Sequence, residues 1–309
     1  MPLEVYIMNI TVFQQKITDI ISDITFKLNE PLSRHTSFRI GGPAEVMAFP
    51  SDREQLKKLL QVSGLLDCKC TILGAGTNVL APDAGLEGLV ICLKDCLDGM
   101  EVLPDHRIRI AGGVTMSRAA VFAAGQGLSG MEFAHGIPGT VGGGVYMNAG
   151  AYGGEIAQIC ESVDVMSMDG SVTTYRGEDM QFSYRHSRLE TEGGIVISAI
   201  FALQPGDEDK IREQMRTLMQ KRSASQPLEL PSAGSAFKRP VGGFAAAMID
   251  QAGLKGFRVG DAAVSEKHAG FVVNLGSATA ADVRALLQQV SDRVFDDTGI
   301  RLEPEVRIW

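Results

Sequence analysis

GIPGTVGGGVYMNAGAYGG, residues 136–154, places eight glycines in nineteen positions, a density that a packed helix or strand interior does not carry. The spacing predicts a system of loops. A backbone without side chains lets a ligand approach closely, and successive N–H groups can form a nest that holds a diphosphate without a lysine. Tight turns alone would consume glycine in the same way. A second glycine loop, LGAGTN at 73–78, follows a short apolar run and adds a threonine and an asparagine as donors. It lacks the third glycine of the dinucleotide fingerprint and the Gly-Lys-Ser/Thr of a phosphate loop, so neither a Rossmann nor a Walker site is supported.

The rest of the composition narrows the class. With 309 residues, 45% hydrophobic and 21% charged, the chain can bury a substantial core and, at ordinary domain sizes, forms two domains. A formal charge of -8 and a pI near 5.2 give no general basic surface, which argues against nucleic acid or an anionic membrane as the principal partner. The opening MPLEVYIMNITVFQQ lacks the basic start, apolar core and cleavage site of a secretory signal, and no later run is long enough to span a bilayer. A cytoplasmic protein is expected. Cys68, Cys70, Cys92, Cys96 and Cys160 read as free thiols of a reducing compartment, and no second pair with histidines accompanies Cys68 and Cys70 to make a zinc site. The 35 glycines stand out more, at about 11% of the chain against an average near 7%.

Around the glycine loops, Ser51, Asp52, Arg53 and Glu54 match a capping box and open an apolar-periodic helix that stops at Gly64. Runs rich in Val, Ile and Leu at 71–73, 89–93 and 101–110 read as strands, the last broken by Pro104 and Asp105. Thr115 caps a second helix to about Gly125, and 163–175 reads as a hairpin turning at Asp169 and Gly170. From Gly206 a charged amphipathic helix runs to near Arg222, and another begins at Thr279 and stops at Gly299. Gln204, Pro205 and Gly206 are the expected linker, dividing the chain into a leader at 1–27, one α+β domain at 28–204 and a second at 205–309.

Six strings then occur in order: TSFRIGG at 36–42, LGAGTNVL at 73–80, GIPGTVGG with MNAGAYG within 136–153, SYRHSR at 183–188, AGSAFKRP at 233–240 and LEPEVRIW at 302–309. Together they closely resemble the UDP-N-acetylenolpyruvoylglucosamine reductase (MurB) family, from about Leu28 to the last residue. The resemblance implies an α+β fold: a vanillyl-alcohol-oxidase-type FAD-binding domain in two subdomains, then a C-terminal α+β substrate-binding domain whose last strand returns toward the flavin. Two glycine loops converging on one diphosphate fit that architecture. It further implies noncovalent FAD, NADPH as hydride donor, and reduction of UDP-N-acetylglucosamine enolpyruvate to UDP-N-acetylmuramate in peptidoglycan precursor synthesis. The implied partner is a small UDP-sugar, with no nucleic acid, membrane insertion or obligate protein partner.

Matched motif to motif, Arg185, Ser235 and Glu305 take the family's catalytic roles. The implied cofactor contacts are Arg39, then Gly74, Ala75, Gly76, Thr77 and Asn78, then Gly136, Pro138, Gly139, Gly142, Gly143, Asn148, Gly150, Tyr152 and Gly153. No metal is implied. Hydride addition to the terminal vinyl carbon leaves negative charge on the α carbon and its carboxylate, which an always-charged arginine fork stabilises best with water excluded. A serine hydroxyl can protonate so basic a carbon, and Glu305 orients this network or helps deliver the proton. Taken alone, an arginine is usually a surface charge and a glycine-flanked serine a turn residue. Glu303 lies two residues from Glu305, on the same face of a strand, so the motif and not periodicity selects Glu305.

In the family's longer class a tyrosine-bearing insertion follows the SYRHSR-like string and closes over substrate. This chain passes directly through LETEGG at 189–194, so it resembles the shorter, second class, and another residue must cover the diphosphate. Tyr184 is an implied substrate contact. The basic pairs Lys221 with Arg222 and Lys238 with Arg239 flank the serine string, and Arg222 is the first candidate to replace the tyrosine. A solvated helix terminus whose cations favour the dipole explains Arg222 equally well. His135, just before the glycine loop, reads as a packing or hydrogen-bonding histidine. Two other readings compete: a flavin oxidase of the same fold, marked by rapid reoxidation by dioxygen, and a noncatalytic UDP-sugar sensor, marked by nucleotide binding without NADPH consumption.

Overall fold

The computed structural model describes residues 15, 17–21 and 23–309; the first fourteen residues of the expected leader lie outside them. The chain builds two compact units, each discontinuous in sequence. The first comprises 44–74 and 87–211 with the residues before 31, and the second comprises 31–43, 75–86 and 212–309.

In the first unit a four-stranded sheet runs in the order Thr25–Pro31, Pro43–Phe49, Leu86–Cys92, Cys70–Leu73. The last two strands are parallel, with Cys70 opposite Leu89 and Leu73 opposite Cys92. The helix Arg53–Leu65 buries Leu56, Leu59 and Leu60 at helical spacing, in one core with Val46, Ala48, Leu89 and Ile91. Its N-cap is Asp52 and not Ser51: Asp52 Oδ1 accepts from the Gln55 amide at 2.8 Å, while Gln55 Oε1 accepts from the Ser51 amide at 2.9 Å. Both Ser51 and Asp52 suit a cap, and it is the side chain of Gln55 that fixes the later register.

The second sheet of this unit is antiparallel, in the order Val172–Arg176, Cys160–Met166, Ile195–Ala202, Arg107–Ala111, Met100–Leu103. Its hairpin turns at Asp169 and Gly170 as expected, with Asp169 Oδ1 accepting from the amide and hydroxyl of Ser171. Thr115 caps the helix Met116–Gly125 by accepting from the Arg118 amide at 3.2 Å.

The glycine-rich stretch is not loop throughout, because Val141–Tyr146 forms a short α-helix containing three of its glycines. Propensity opposes that helix, and tertiary hydrogen bonds hold it. Val141 N–H donates to Val114 O and Gly142 N–H to Gly112 O, both at 2.8 Å. Thr140 takes the next two amides, Gly143 on its hydroxyl at 3.2 Å and Gly144 on its carbonyl at 2.8 Å.

In the second unit the sheet order is Ser232–Ser235, Phe271–Asn274, Ala262–Val264, Arg258–Val259, all antiparallel. The helix Ala280–Thr298 lays Val283, Leu286, Leu287, Val290 and Val294 into the core shared with Val264 and Val272. Thr279 and Asp282 close its capping box, Gly299 ends it in a left-handed conformation, and Asp83 adds acceptors for the amides of Ala280 and Ala281 at 2.7 and 3.0 Å. The helix Glu208–Ser225 runs three residues past Arg222. The strand Arg307–Ile308 pairs in parallel with Val79–Leu80. Among the described residues no helix is long and apolar enough to cross a membrane, and no group of three His, Cys, Asp or Glu is placed to hold a metal. All five cysteines are free.

Candidate functional site

Each unit gathers part of the six strings. In the first, MNAGAYG and SYRHSR are laced together. Asn148 Nδ2 donates to Ser183 O at 3.0 Å, Ser187 Oγ to Tyr146 O at 2.7 Å, and Arg185 Nη2 to Gly150 O at 3.1 Å. Asn148 is fully buried and its Oδ1 accepts from the Ala157 amide at 2.9 Å, so its side chain fixes this turn from both ends. Ser183 and His186 exchange backbone hydrogen bonds at 3.1 Å around Tyr184 and Arg185. Arg185 sits in the left-handed region at φ 55°, with its guanidinium 5.0 Å from the centre of the Tyr184 ring, and that ring is about half exposed. Tyr152, exposed and also left-handed, tips the tight hairpin between Gly150–Ala151 and Gly154–Glu155. Left-handed tyrosine and arginine are uncommon, and here they are Tyr152, which is exposed, and Arg185, which is half-buried.

The same unit fits a cofactor lying against its backbone. Gly74 and Gly143 have ordinary φ, and a Cβ built on either meets only Thr140 Oγ1, at 3.3 and 3.6 Å. At Gly143 that is ordinary contact, so packing does not require glycine there, whereas at Gly74 Thr140 would have to give by a few tenths of an ångström. Thr140 is thus where Gly74 and the 136–144 loop meet. The donor nest expected along this turn is absent at its helical end: the amides of 141–144 are all spent inside the protein. Gly142 and Gly143 offer surface, not donors. Gly136, Gly139 and Pro138 precede that turn; Gly139 O accepts from the Met116 amide at 3.0 Å. His135 Nδ1 shares a hydrogen bond of 3.4 Å with Ser117.

The second unit gathers the other strings. Ser37 donates its amide to Gly76 O at 2.9 Å and its hydroxyl to Ser232 O at 2.6 Å and, more weakly, to Gly76 O at 3.4 Å. Gly76 has φ 64°, and a Cβ there would collide with the His35 carbonyl, so this glycine is dictated by the fold. Arg39 is exposed, left-handed at φ 56°, in a turn closed by its amide to Thr36 O at 3.1 Å. Ser235 is exposed at the end of the strand Ser232–Ser235, opposite Phe271. The chain's last segment runs antiparallel beside the residues that follow it: Glu305 N–H donates to Ala236 O at 2.9 Å and Lys238 N–H to Glu303 O at 2.8 Å. Asn78 Nδ2 reaches Glu305 O at 3.4 Å, and Asn78 O accepts from the Arg307 amide at 3.0 Å. Ala75 and Thr77 are half-buried in the same loop.

Glu303 and Glu305 separate here. Glu303 is largely exposed and pairs with Lys238 Nζ at 3.5 Å, whereas Glu305 is half-buried. Arg239 stacks 4.3 Å from the centre of the Phe244 ring. Arg222 lies half-buried in the last turn of its helix and Lys221 beside it is exposed. Sequence reading missed the fasteners Ser37, Ser187 and Thr140. Their place as Ser or Thr inside the quoted strings was the signal, and their partners lie as far as 195 positions away.

Residues 44–176 match a family described as an FAD binding domain, and residues 226–309 match the C-terminal domain of UDP-N-acetylenolpyruvoylglucosamine reductase. The reductase of Agathobacter rectalis is 45% identical over 307 residues, covering 96% of this chain and 98% of that protein. The reductase of Lactococcus lactis subsp. cremoris is 45% identical over 295 residues, covering 95% and 98%. The crystal structure of the Thermus caldophilus reductase (MurB) superposes with a TM-score of 0.76 at 35% identity, covering 93% of this chain and 98% of that one. The α+β fold, the FAD-binding domain and the C-terminal domain expected from the six strings all stand, and the chain belongs to the UDP-N-acetylenolpyruvoylglucosamine reductase family, whose members are FAD-dependent oxidoreductases.

Proposed function

We propose that this protein reduces the enolpyruvyl ether of UDP-N-acetylglucosamine enolpyruvate to UDP-N-acetylmuramate with NADPH, in the cytoplasm, as a step of peptidoglycan precursor synthesis. The observation that carries the reading is one antiparallel contact: the Glu305 amide on the carbonyl of Ala236 fixes the carboxylate-bearing segment beside the residue that follows Ser235. The domain reading assigns the flavin to 28–204 and the UDP-sugar to 205–309. Gly74, Ala75, Gly76, Thr77 and Asn78, with Arg39 and the 136–153 strings, would hold FAD noncovalently. FAD held there would supply the hydride transfer from NADPH to the terminal vinyl carbon.

The chain's own residues handle what that transfer leaves behind. Arg185, oriented by its hydrogen bond to Gly150 O, would set its always-charged fork against the carboxylate of the developing enolate. Its left-handed backbone is a local cost that the Ser183–His186 hydrogen bonds hold in place. Ser235 Oγ gives its proton to the α carbon, and Glu305 orients that hydroxyl or relays its replacement proton. Tyr184, Arg222, Lys238 and Arg239 are proposed for the UDP portion. Anaerobic reduction by NADPH, followed by addition of the UDP-enolpyruvyl sugar, tests the whole reading. Stoichiometric flavin reoxidation with formation of the lactyl ether is expected; reoxidation by dioxygen but not by the sugar would refute it.

A further inference from the structure

The residues between Met180 and Arg188 form a small loop with Tyr184 and Arg185 at its tip. Its neck is closed by Arg188, whose amide donates to Met180 O at 2.8 Å. The side chain does more. Nη1 donates to Asp179 O at 2.8 Å, while Nε and Nη2 grip the Glu192 carboxylate at 3.0 and 2.8 Å. The guanidinium lies 4.0 Å from the centre of the Tyr175 ring. One planar fork therefore joins the segment that enters the loop, Tyr175 to Asp179, to the segment that leaves it, Leu189–Glu192. A neighbouring pair, His186 Nδ1 and Glu190 Oε2 at 2.8 Å, closes the exit side of the tip.

We propose that Arg188 is a positioning residue for Arg185: it sets the neck of the loop and so the direction of the catalytic fork at the tip. The inference rests on the role read for Arg185. It also accounts for the directness of the 189–194 connection. Here the connection is one short helix, and Glu192 at its end is the anchor that Arg188 needs. Lysine cannot replace it, because a single ammonium cannot engage a carboxylate with two parallel donors, a carbonyl and a ring face together. The cluster lies near the surface, and such pairs contribute little to global stability. A loss of geometry without a loss of fold is the expected signature.

The test uses the FAD-loaded full-length chain and stopped-flow half-reactions in R188A, R188K, R185A and the R185A/R188A double variant. In R188A, flavin reduction by NADPH should stay within about twofold of the parent. Reoxidation by the UDP-enolpyruvyl sugar should fall about ten- to a hundredfold, the scale on which misplacement by an ångström acts. R188K should remain slow, and the double variant should be no slower than R185A, since Arg188 acts only through Arg185. Parent-like reoxidation in R188A would overturn the proposal, as would equal losses in both half-reactions with a lowered Tm, or additive losses in the double variant. A parent enzyme that the sugar fails to reoxidise would overturn the functional reading itself, and this inference with it.

Discussion

Removing the Asn148 side chain should loosen the Arg185 turn and cost measurable stability. Asn148→Ala deletes two hydrogen bonds, the Nδ2 donation to Ser183 O at 3.0 Å and the Oδ1 acceptance from Ala157 N–H at 2.9 Å. Neutral pairs contribute about 1 kcal/mol each. The backbone adds a second loss: at φ 42° asparagine is tolerated and alanine is not, for about 1 kcal/mol more. The sum is about 3 kcal/mol. Asn148→Gly loses the same hydrogen bonds but escapes the backbone cost, so it should lose only about 2 kcal/mol. At roughly 2 °C per kcal/mol for a chain of this length, thermal unfolding of the FAD-loaded protein should fall by about 6 °C for alanine and about 4 °C for glycine. Both variants should also slow reoxidation by the UDP-enolpyruvyl sugar, because Ser183 no longer has its anchor. An alanine variant with parent Tm and parent turnover, or a glycine variant less stable than the alanine one, would refute the reasoning.

Ser235→Ala should keep flavin reduction by NADPH near the parent rate while product formation drops by about a hundred- to ten-thousandfold; unchanged reoxidation by the sugar would remove Ser235 as proton donor. Arg222→Ala should weaken UDP-sugar binding by about 1.5–3 kcal/mol, and calorimetry giving parent affinity would leave Arg222 a helix-terminus cation. Burial pushes the thiols of Cys70, Cys96 and Cys160 up to about 12, so at pH 8 the native protein should resist alkylation there and label first at Cys68; rapid native labelling of Cys96 would contradict this. The same shifts make stability fall with alkali: below about pH 9 both states hold these protons, and between about 9 and 12 the unfolded chain ionises first, as urea titrations at pH 8 and 10 would reveal. Gly143→Ala should leave Tm of the cofactor-free protein within about 2 °C yet weaken FAD binding at least tenfold, measured by flavin fluorescence; parent FAD affinity would show that the backbone at 143 meets no ligand.

The sequence made some elements legible because their signals are local. Thr115 and Thr279 cap their helices, Gly299 ends one, and Asp169 with Gly170 turns the hairpin. A capping residue acts on amides two or three positions away, within the span that a pattern covers. Ser51 and Asp52 show the limit of that span. Both are competent caps, and the choice belongs to the Gln55 side chain. The helix Val141–Tyr146 was not legible, since its existence depends on the carbonyls of Gly112 and Val114, about thirty positions earlier in the chain. The site followed the same division. Arg185, Ser235 and Glu305 were reached through strings that resemble a family, whereas the Ser37–Ser232 and Asn78–Glu305 hydrogen bonds span 195 and 227 positions and leave no local trace.

The glycines divide by what each excludes. At Gly76 the His35 carbonyl and at Gly144 the Met116 sulfur, 2.7 Å from where a Cβ would stand, forbid a side chain, so these positions serve the fold. At Gly143 the protein forbids nothing, and at Gly74 only Thr140 Oγ1 would have to give. Composition cannot make that distinction, because an excess of glycine looks the same whether packing or a ligand requires it. The geometry makes it, and it changes what the loop at 136–144 contributes. Since the amides of 141–144 are spent on Val114, Gly112 and Thr140, charge complementarity to a diphosphate cannot come from them. What remains there is backbone without side chains at Gly142 and Gly143, fixed by the same hydrogen bonds that use up its donors. Such a surface favours a flat or extended ligand through shape and exclusion of water. The proposal that this unit binds a ligand therefore puts the selecting groups around that surface, where Tyr152 and Arg185 stand on left-handed backbone and Tyr152 and Tyr184 are exposed.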